Sequence, residues 1–261
     1  MRFTRAIVRR PAGSFASGLT SSGEGPPDAG KALAQHQGYC DALRYCGLAL
    51  TFVEPDLAHP DGTFVEDTAI VTGRGAILAR PGAPSRSGEV DSVAASLREF
   101  HSEMPRIAAP GTLDGGDVCE ADGHYIIGVS ARTNEAGARQ LAQHLQGMRY
   151  TASIVDIRSI GGLLHLKTGI AYLGGGLWLV AEALQDVVRS WTCAGIPELI
   201  AVCAADSYAA NCVRVNDAVL VAAGYPRVAA ALRDRGCSPI LLEMSEFRKM
   251  DGGLSCLSLR F

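Results

Sequence analysis

The stretch Asp117-Val-Cys-Glu-Ala-Asp-Gly-His-Tyr-Ile-Ile-Gly128 contains the pattern that decides the fold. A polar residue opens it, a short strand follows, and a second strand comes after the turn at Asp122-Gly123. Aspartate and glycine tolerate the positive φ that tight hairpin turns require. The stretch therefore predicts a β-hairpin that carries Asp117 at its entrance.

The same pattern recurs along the chain. Its copies open, in order, at Asp67, Asp117, His165, Asn211 and Cys256, at intervals of 50, 48, 46 and 45 residues. The copy at Cys256 has one strand within 256–261, and Arg5-Ala-Ile-Val-Arg9 is expected to pair with it. A nearly constant period is typical of architectures that repeat one supersecondary unit.

A helix pattern and a further strand follow the hairpins. Apolar residues recur at helical spacing over 90–97, 138–145, 184–191 and, in part, 228–232, and strands are predicted at 153–155, 199–202 and 239–242. Single apolar stripes of this kind pack against a core. Each unit is thus strand, strand, helix, strand, and five units closed in a ring would remove exposed sheet edges. The alternative is an open α/β sheet, which does not account for the constant interval.

In a ring, the five opening positions would meet near the axis. Two carboxylates, an imidazole, an amide and a thiol would then converge, and buried polar groups are costly unless they are satisfied. We therefore expect a chemical site in which Cys256 is a nucleophile, His165 transfers protons and carboxylates attract a cation. Three further acids, Asp114, Glu66 and Asp61, stand beside these positions.

Composition narrows the class of protein. The 261 residues include 24 basic and 27 acidic side chains, a net charge of −3, which argues against a nucleic-acid binder with its basic face. Hydrophobic residues make up 48% and charged residues 20%, as in a globular protein, and one domain over 1–261 is expected. No apolar run reaches the ~18 residues of a membrane span, so no membrane association is expected.

The cysteines favour a reducing compartment. The N-terminal stretch is too short and too charged for a signal peptide, so we expect a cytoplasmic protein whose eight cysteines are thiols. No Cys-x-x-Cys pair is present, which argues against a zinc ribbon. Seven are interpreted as small hydrophobic residues: Cys40, Cys46, Cys119, Cys193, Cys203, Cys212 and Cys237.

With these residues assembled, the chain resembles the dimethylarginine dimethylaminohydrolase family of the guanidine-modifying enzyme superfamily. Matching stretches span essentially the full length and include 18–22 (Gly-Leu-Thr-Ser-Ser), 64–67 (Phe-Val-Glu-Asp), 130–134 (Ser-Ala-Arg-Thr-Asn), 165–169 (His-Leu-Lys-Thr-Gly), 207–212 (Ser-Tyr-Ala-Ala-Asn-Cys) and the tail with Cys256. The resemblance implies a five-bladed α/β propeller with pseudo-fivefold symmetry, closed by N- and C-terminal strands. It also implies hydrolysis of Nω-methylated arginine to citrulline and dimethylamine or methylamine through a covalent cysteine thiouronium intermediate.

The resemblance also implies roles for individual residues. Cys256 would be the nucleophile, His165 the proton donor and Asp114 the carboxylate that supports the histidine. The substrate-binding residues would be Leu19, Asp61, Glu66, Asp67, Arg86, Arg132 and Met250, the last through its backbone. No metal and no organic cofactor is expected, and the protein would be a monomer or homodimer.

These residue types suit the reaction. Carboxylates of Glu66 and Asp67 can hold a planar guanidinium close to sulfur, which makes the attack effectively intramolecular. The forks of Arg86 and Arg132 match an α-carboxylate, and Asp61 suits an α-amino group. The alternatives are an arginine deiminase or hydrolase of another guanidine and, from another class, a ligand-binding protein on an inactive propeller. The presence of the thiol, the imidazole and both acid pairs argues against the last.

An insertion over Pro11–Lys31 precedes the first repeat. Its glycines and the pair Pro26-Pro27 predict a mobile loop at the mouth of the ring. We expect this loop to act as a lid that excludes water, with Leu19 as its contact to substrate.

Overall fold

The predicted hairpins are present in the computed structural model, which describes residues 2–190 and 198–261. Its strands are β1 (Arg5–Arg9), β2 (Ala49–Val53), β3 (Ala69–Thr72), β4 (Gly75–Leu78), β5 (Val118–Ala121), β6 (His124–Val129), β7 (Thr151–Asp156), β8 (Ile170–Gly174), β9 (Leu177–Ala181), β10 (Glu198–Val202), β11 (Val213–Val215), β12 (Ala218–Ala222), β13 (Ser238–Leu242) and β14 (Leu259–Arg260). Its α-helices are α1 (Ala29–Tyr45), α2 (Glu89–Leu97), α3 (Glu135–Gly147), α4 (Leu166–Gly169), α5 (Gln185–Arg189), α6 (Pro226–Asp234) and α7 (Ser245–Arg248).

These strands form five separate sheets, and within the described ranges none closes on itself. Their orders are β14-β1-β2, β3-β4, β5-β6-β7, β8-β9-β10 and β11-β12-β13. In every three-stranded sheet the first pair is antiparallel, and the third strand joins in parallel after a helix. The predicted unit of strand, strand, helix, strand is confirmed in the four three-stranded sheets, whereas β3 and β4 are joined after α2 only by an isolated bridge between Leu78 and Arg106. The pairing of 5–9 with the C-terminal strand is also confirmed, and Ala6 faces Arg260.

The turns follow the predicted chemistry. Asp122 and Asn216 adopt φ of 48° and 55°, and the third hairpin turns through Gly174, Gly175 and Gly176, all with positive φ. Aspartate and asparagine enter this left-handed region more readily than other non-glycine residues. These short turns therefore let the second strand of each hairpin pair directly with the first.

The helices bury the predicted apolar stripes. Val90, Val93, Ala94 and Leu97 of α2 are buried, as are Ala138, Leu141 and Leu145 of α3 and Val228 and Leu232 of α6. Burial of one large aliphatic side chain contributes roughly 1.5–3 kcal/mol. The stripe predicted over 184–191 corresponds to the shorter α5, and its last member, Trp191, lies outside the described residues, as does Cys193.

The N-terminal insertion differs from the predicted loop. Phe15 is buried in a short 3-10 turn, where its ring packs against those of Phe64 and Phe247. The insertion ends where α1 begins, because the side chain of Asp28 accepts a hydrogen bond from the backbone N–H of Lys31 at 2.8 Å and caps the helix. The prediction of a continuous loop over 11–31 is therefore corrected at both places.

Short helical turns at the entrance of each hairpin assemble the polar residues. These turns are Val65–Thr68, Gly115–Asp117, α4, Ala204–Ala210 and Ser255–Leu257. The first contacts the second and the last, and α4 contacts the second and the fourth. The opening residues of all five repeats therefore lie at one end of their sheets, near one another. No helix in the described ranges has the length and apolar character of a membrane span.

Candidate active site

A small cavity lies where the entrance turns meet. Its lining includes eight of the ten residues predicted for the site: Leu19, Asp61, Asp67, Arg86, Arg132, His165, Met250 and Cys256. Four residues without a predicted role complete it: Phe64, Leu164, Asp251 and Gly252. Asp114 and Glu66 do not line this cavity, and both act on groups that do.

His165 is buried among carboxylates. Its Nε2 lies 3.0 Å from Oδ2 of Asp114, a fully buried residue whose other oxygen accepts from the backbone N–H of Gly82 at 2.8 Å. Burial alone would lower the pKa of His165, but Asp67, Asp114 and Asp117 outweigh it and raise this pKa to about 9. The imidazole is therefore protonated at neutral pH, the state from which it can donate a proton.

Asp67 is ionised although it is buried. Its Oδ2 accepts from Nη1 of Arg86 at 2.6 Å and its Oδ1 from the N–H of Gly116 at 2.8 Å. Burial favours the neutral acid, but His165 and Arg86 outweigh this effect and lower the pKa of Asp67 to about 2. A Cβ on Gly116 would lie 2.7 Å from Nδ1 of His165, so this position requires glycine. The cavity thus contains a fixed negative charge for a cationic ligand.

Cys256 is a neutral thiol in this environment. Burial, followed by the charges of Glu66 and Asp67, raises its pKa to about 12. Its backbone N–H donates to the carbonyl of Gly253 at 3.3 Å, which places the residue on a tight turn after the Asp251-Gly-Gly segment. The thiolate is the nucleophilic form of cysteine, so attack requires a change in the charge around sulfur.

Arg86 binds mainly to protein carboxylates. Its Nε and Nη2 bind both oxygens of Glu89, Nη2 also donates to the carbonyl of Phe64, and Nη1 donates to Asp67. One of its five N–H groups, on Nη1, remains for a ligand. Sequence reasoning missed Glu89, which is fully buried on α2. The available signal was an acidic residue directly before the apolar stripe that opens with Val90.

Arg132 and Asp61 offer opposite charges at the cavity wall. Nη1 of Arg132 is buried and has no hydrogen-bond partner among the described residues. Both oxygens of Asp61 accept from the backbone N–H of Leu19, at 3.1 and 3.2 Å. Burial raises the pKa of Asp61, an effect that this hydrogen bond, Arg86 and Arg132 reduce. An amino acid would find an acceptor and a free donor here.

Glu66 does not line this cavity and binds protein groups instead, so the expectation that it holds a guanidinium beside Asp67 stays a prediction. Its Oε1 accepts from Nζ of Lys167 at 2.6 Å and from Arg260 at 3.4 Å, and its Oε2 accepts from Oγ of Ser255 at 2.8 Å. It lines a second, larger cavity of about 870 Å³. The side chains of Glu66 and Asp67 leave the same short turn in different directions.

The segment around Leu19 is held against the loop that precedes Cys256. Hydroxyls of Thr20 and Ser22 both donate to the carbonyl of Lys249 at 2.7 Å. The backbone N–H and the hydroxyl of Ser21 donate to Oδ2 of Asp251 at 2.5 and 3.0 Å. The segment is therefore anchored beside the cavity that Leu19 lines, and its action as a lid stays a prediction.

Three potential metal ligands meet in the site. One atom each of Asp67, Asp114 and His165 lies within 4.8 Å of the others. All three groups are already paired, since His165 binds Asp114 and Asp67 binds Arg86. An acid–base cluster fits this arrangement, and the expectation that no metal is required stays a prediction.

Comparison with known proteins gives consistent matches. A family model described as arginine deiminase matches residues 52–198, more than half of the chain. The N(G),N(G)-dimethylarginine dimethylaminohydrolase of Pseudomonas aeruginosa is 42% identical and covers 99% of this chain and 100% of its own. The protein of the same name from Streptomyces coelicolor is 33% identical over 98% and 96%.

Solved structures agree with these relatives. A cysteine-to-serine mutant of the Pseudomonas aeruginosa protein, complexed with citrulline, superposes with a TM-score of 0.94 at 42% identity and covers both chains fully. A histidine-to-glycine variant of a dimethylarginine dimethylaminohydrolase, as an adduct with S-methyl-L-thiocitrulline, gives 0.93 at 42% identity over 99% of this chain and 100% of its own. The N-terminal domain of the arginine dihydrolase ArgZ, at 20% identity, shares the fold with a TM-score of 0.87 over 98% and 97%. Identity and coverage at this level place the chain in the dimethylarginine dimethylaminohydrolases, within the arginine deiminase family.

Proposed function

We propose that this protein hydrolyses Nω-methylated arginine, asymmetric dimethylarginine and monomethylarginine, to citrulline and dimethylamine or methylamine. One observation carries the proposal. A single cavity combines a thiol, a protonated imidazole and an ionised buried carboxylate, the groups that nucleophilic attack, amine expulsion and guanidinium binding require. The relatives named dimethylarginine dimethylaminohydrolase match the chain along its whole length.

Substrate binding uses the charges that the cavity presents. Asp67 binds the guanidinium, and Asp61 accepts from the α-amino group. Arg132, whose Nη1 has no hydrogen-bond partner in the described part of the chain, binds the α-carboxylate, to which Arg86 adds one N–H. Leu19 closes over the ligand from the lid, and Met250 contacts it from the opposite loop. The two ends of an arginine are thus bound by groups of opposite sign.

The first half of the reaction forms a thiouronium. Bound guanidinium lowers the pKa of Cys256, the thiol proton leaves to solvent, and sulfur attacks the guanidinium carbon. The C–S bond forms while the π electrons move to nitrogen, which gives a tetrahedral adduct. His165 donates its proton to the methylated nitrogen, the C–N bond breaks, and the amine departs. Asp114 keeps the imidazole oriented during this transfer.

The second half regenerates the enzyme. Water attacks the thiouronium carbon while neutral His165 accepts its proton. The adduct collapses with cleavage of the C–S bond, citrulline is released, and Cys256 recovers a proton. Glu66 takes part indirectly, because its carboxylate binds Lys167 and Ser255 beside the nucleophile.

The finer architecture is part of the proposal. We propose that the five sheets are the blades of a single five-bladed α/β propeller domain over 1–261, closed by β1 and β14. Contacts of β14 with β3, of β5 with β8 and of β8 with β11 support this arrangement. We further propose that the protein is cytoplasmic, since the seven described cysteines are free thiols. That it is a monomer or homodimer stays a prediction.

Citrulline release from matched substrates tests the function. Purified protein is incubated with asymmetric dimethylarginine, monomethylarginine and arginine, with Cys256→Ser as the inactive control. We expect kcat/KM for the methylated substrates to exceed that for arginine by at least about tenfold. Arginine as the preferred substrate would support the second candidate, an arginine deiminase, which the family model over 52–198 favours. Absence of citrulline from all three would contradict both.

A further inference from the structure

Four residues form a closed loop of hydrogen bonds beside the reacting groups, through three side-chain contacts and the backbone carbonyl of Lys167. Lys167 and Ser255 donate to the two carboxylate oxygens of Glu66, at 2.6 and 2.8 Å. Asn211 closes the loop, because its Nδ2 donates to the carbonyl of Lys167 at 2.8 Å and to Oγ of Ser255 at 3.1 Å. Its Oδ1 accepts from the backbone N–H of Ser255 at 3.0 Å. The amide of Asn211 is therefore satisfied on both of its polar atoms.

Asn211 joins two backbone segments that carry reacting groups. Lys167 lies two residues after His165, and Ser255 directly precedes Cys256. Asn211 itself is buried and opens the fourth repeat, at the position equivalent to His165 and Cys256. It does not line the cavity, so its influence on substrate passes through the segments that it connects.

We propose that Asn211 is a positioning residue that fixes the separation between the Cys256 thiol and the His165 imidazole. The inference rests on the proposed function. Reacting groups must approach to about 3–3.5 Å, and a misplacement of ~1 Å can cost ~10²-fold in rate. A carboxamide that accepts from one segment and donates to the other sets such a distance with its own rigid plane.

Packing at Gly253 supports this role. A Cβ on Gly253 would lie 2.4 Å from Oδ1 of Asn211 and 2.5 Å from its Cγ. The carbonyl of Gly253 also accepts from the N–H of Cys256 at 3.3 Å. The turn that carries the nucleophile therefore packs directly against the amide, and Gly253→Ala offers a second way to displace it.

Two variants and a matched control test the inference. In Asn211→Ala and in Gly253→Ala, kcat for dimethylarginine should fall at least about tenfold while KM stays within about threefold, because the substrate contacts are intact. Alkylation of Cys256 by iodoacetamide, followed on its peptide by mass spectrometry, should become at least about threefold faster, because the thiol is held less rigidly. The control is Asn216→Gly, which removes a side-chain amide that also makes three hydrogen bonds. That amide accepts from the N–H of Phe3 and donates to the carbonyls of Phe3 and Cys46. Asn216 has a positive φ of 55°, which glycine adopts freely.

The outcomes separate the inference from the proposed function. Retention of kcat within twofold in both test variants would overturn the positioning role. So would a loss of kcat no greater than that of Asn216→Gly at an equal loss of melting temperature. If the wild-type protein releases no citrulline, the proposed function fails, and the alkylation rates alone decide. Equal rates in Asn211→Ala and wild type would then reject the role of Asn211.

Discussion

At the residue scale, the charge of each group in the cavity is set by its neighbours. His165 is held protonated by three carboxylates, and Asp67 is held ionised by His165 and Arg86. Burial, with the charges of Glu66 and Asp67, keeps Cys256 neutral. The resting site therefore has its acid ready and its nucleophile masked, which protects the thiol until a cation arrives.

Replacement of the acid should affect one chemical step more than the other. In His165→Gly, turnover of dimethylarginine should fall at least about 10²-fold, because expulsion of an amine needs a proton. Turnover of S-methyl-L-thiocitrulline should fall by a factor at least about tenfold smaller, because its thiolate leaving group departs without a proton. Steady-state rates with both substrates measure the difference. An equal loss with both would make His165 a structural residue.

Ionisation of the nucleophile should depend on the ligand. The apparent pKa of Cys256, measured from the pH dependence of iodoacetamide alkylation, should fall when a small inert cationic guanidine is bound. The reason is that a positive charge beside sulfur opposes the effect of Glu66 and Asp67. A resting thiol that titrates well below pH 7, or one unaffected by the cation, would mean that His165 holds a preformed ion pair.

The sequence predicted which residue types meet, and the reason is the period of the repeat. It could not predict the direction of adjacent side chains in a short turn. Glu66 and Asp67 are neighbours, yet one binds Lys167 and the other faces the cavity. Buried partners such as Glu89 were missed for a related reason, since a carboxylate on an apolar stripe reveals its role only through the arginine that it contacts.

At the scale of elements, hairpins and helices were predictable because turn residues and apolar spacing are local signals. The start of α1 was missed although the cap at Asp28 is a local signal, because the glycines and prolines of 11–31 favoured a loop. The packing of Phe15 depends on rings that are distant in sequence. The proposed lid, residues 19–22, lies in the chain between Phe15 and the start of α1. Its exposed stretch is held by hydrogen bonds from three consecutive residues to the loop at 249–251.

Loosening the lid should weaken substrate binding more than chemistry. The double variant Thr20→Val, Ser22→Ala removes two donors to the carbonyl of Lys249 without altering a residue that lines the cavity. Net loss of about 1 kcal/mol should raise KM about fivefold and leave kcat within twofold. The control is Ser17→Ala, an exposed serine of the same segment. An unchanged KM would show that these bonds do not close the lid.

At the scale of the whole molecule, the buried charges of the site link folding to pH. The pKa of His165 is about 9 in the folded chain against about 6.5 unfolded, so its contribution to stability is complete below pH 6.5 and disappears as pH rises through 9. The pH dependence of the Asp67 contribution to stability has the opposite sign, because its pKa is lowered in the folded chain. That contribution is present above pH 4 and disappears as pH falls through 2. His36, whose pKa burial lowers to about 4, is neutral throughout the alkaline window.

The free energy of unfolding should therefore decline between pH 6.5 and 9 by up to ~3 kcal/mol, the order that a shift of this size implies. Urea titrations at fixed ionic strength across this range measure it, with His165→Gln as the matched variant. The variant should be less stable than wild type at pH 6.5 and approach it near pH 9, because the wild-type imidazole loses there the charge that glutamine never carries. Buried cysteines also lower the stability above about pH 8.5, because their thiols ionise in the unfolded chain and stay neutral in the folded one, but they do so in both proteins. If wild type and variant decline in parallel from pH 6.5, the imidazole is not charged in the folded protein, and the assignment of His165 as the resting acid is wrong.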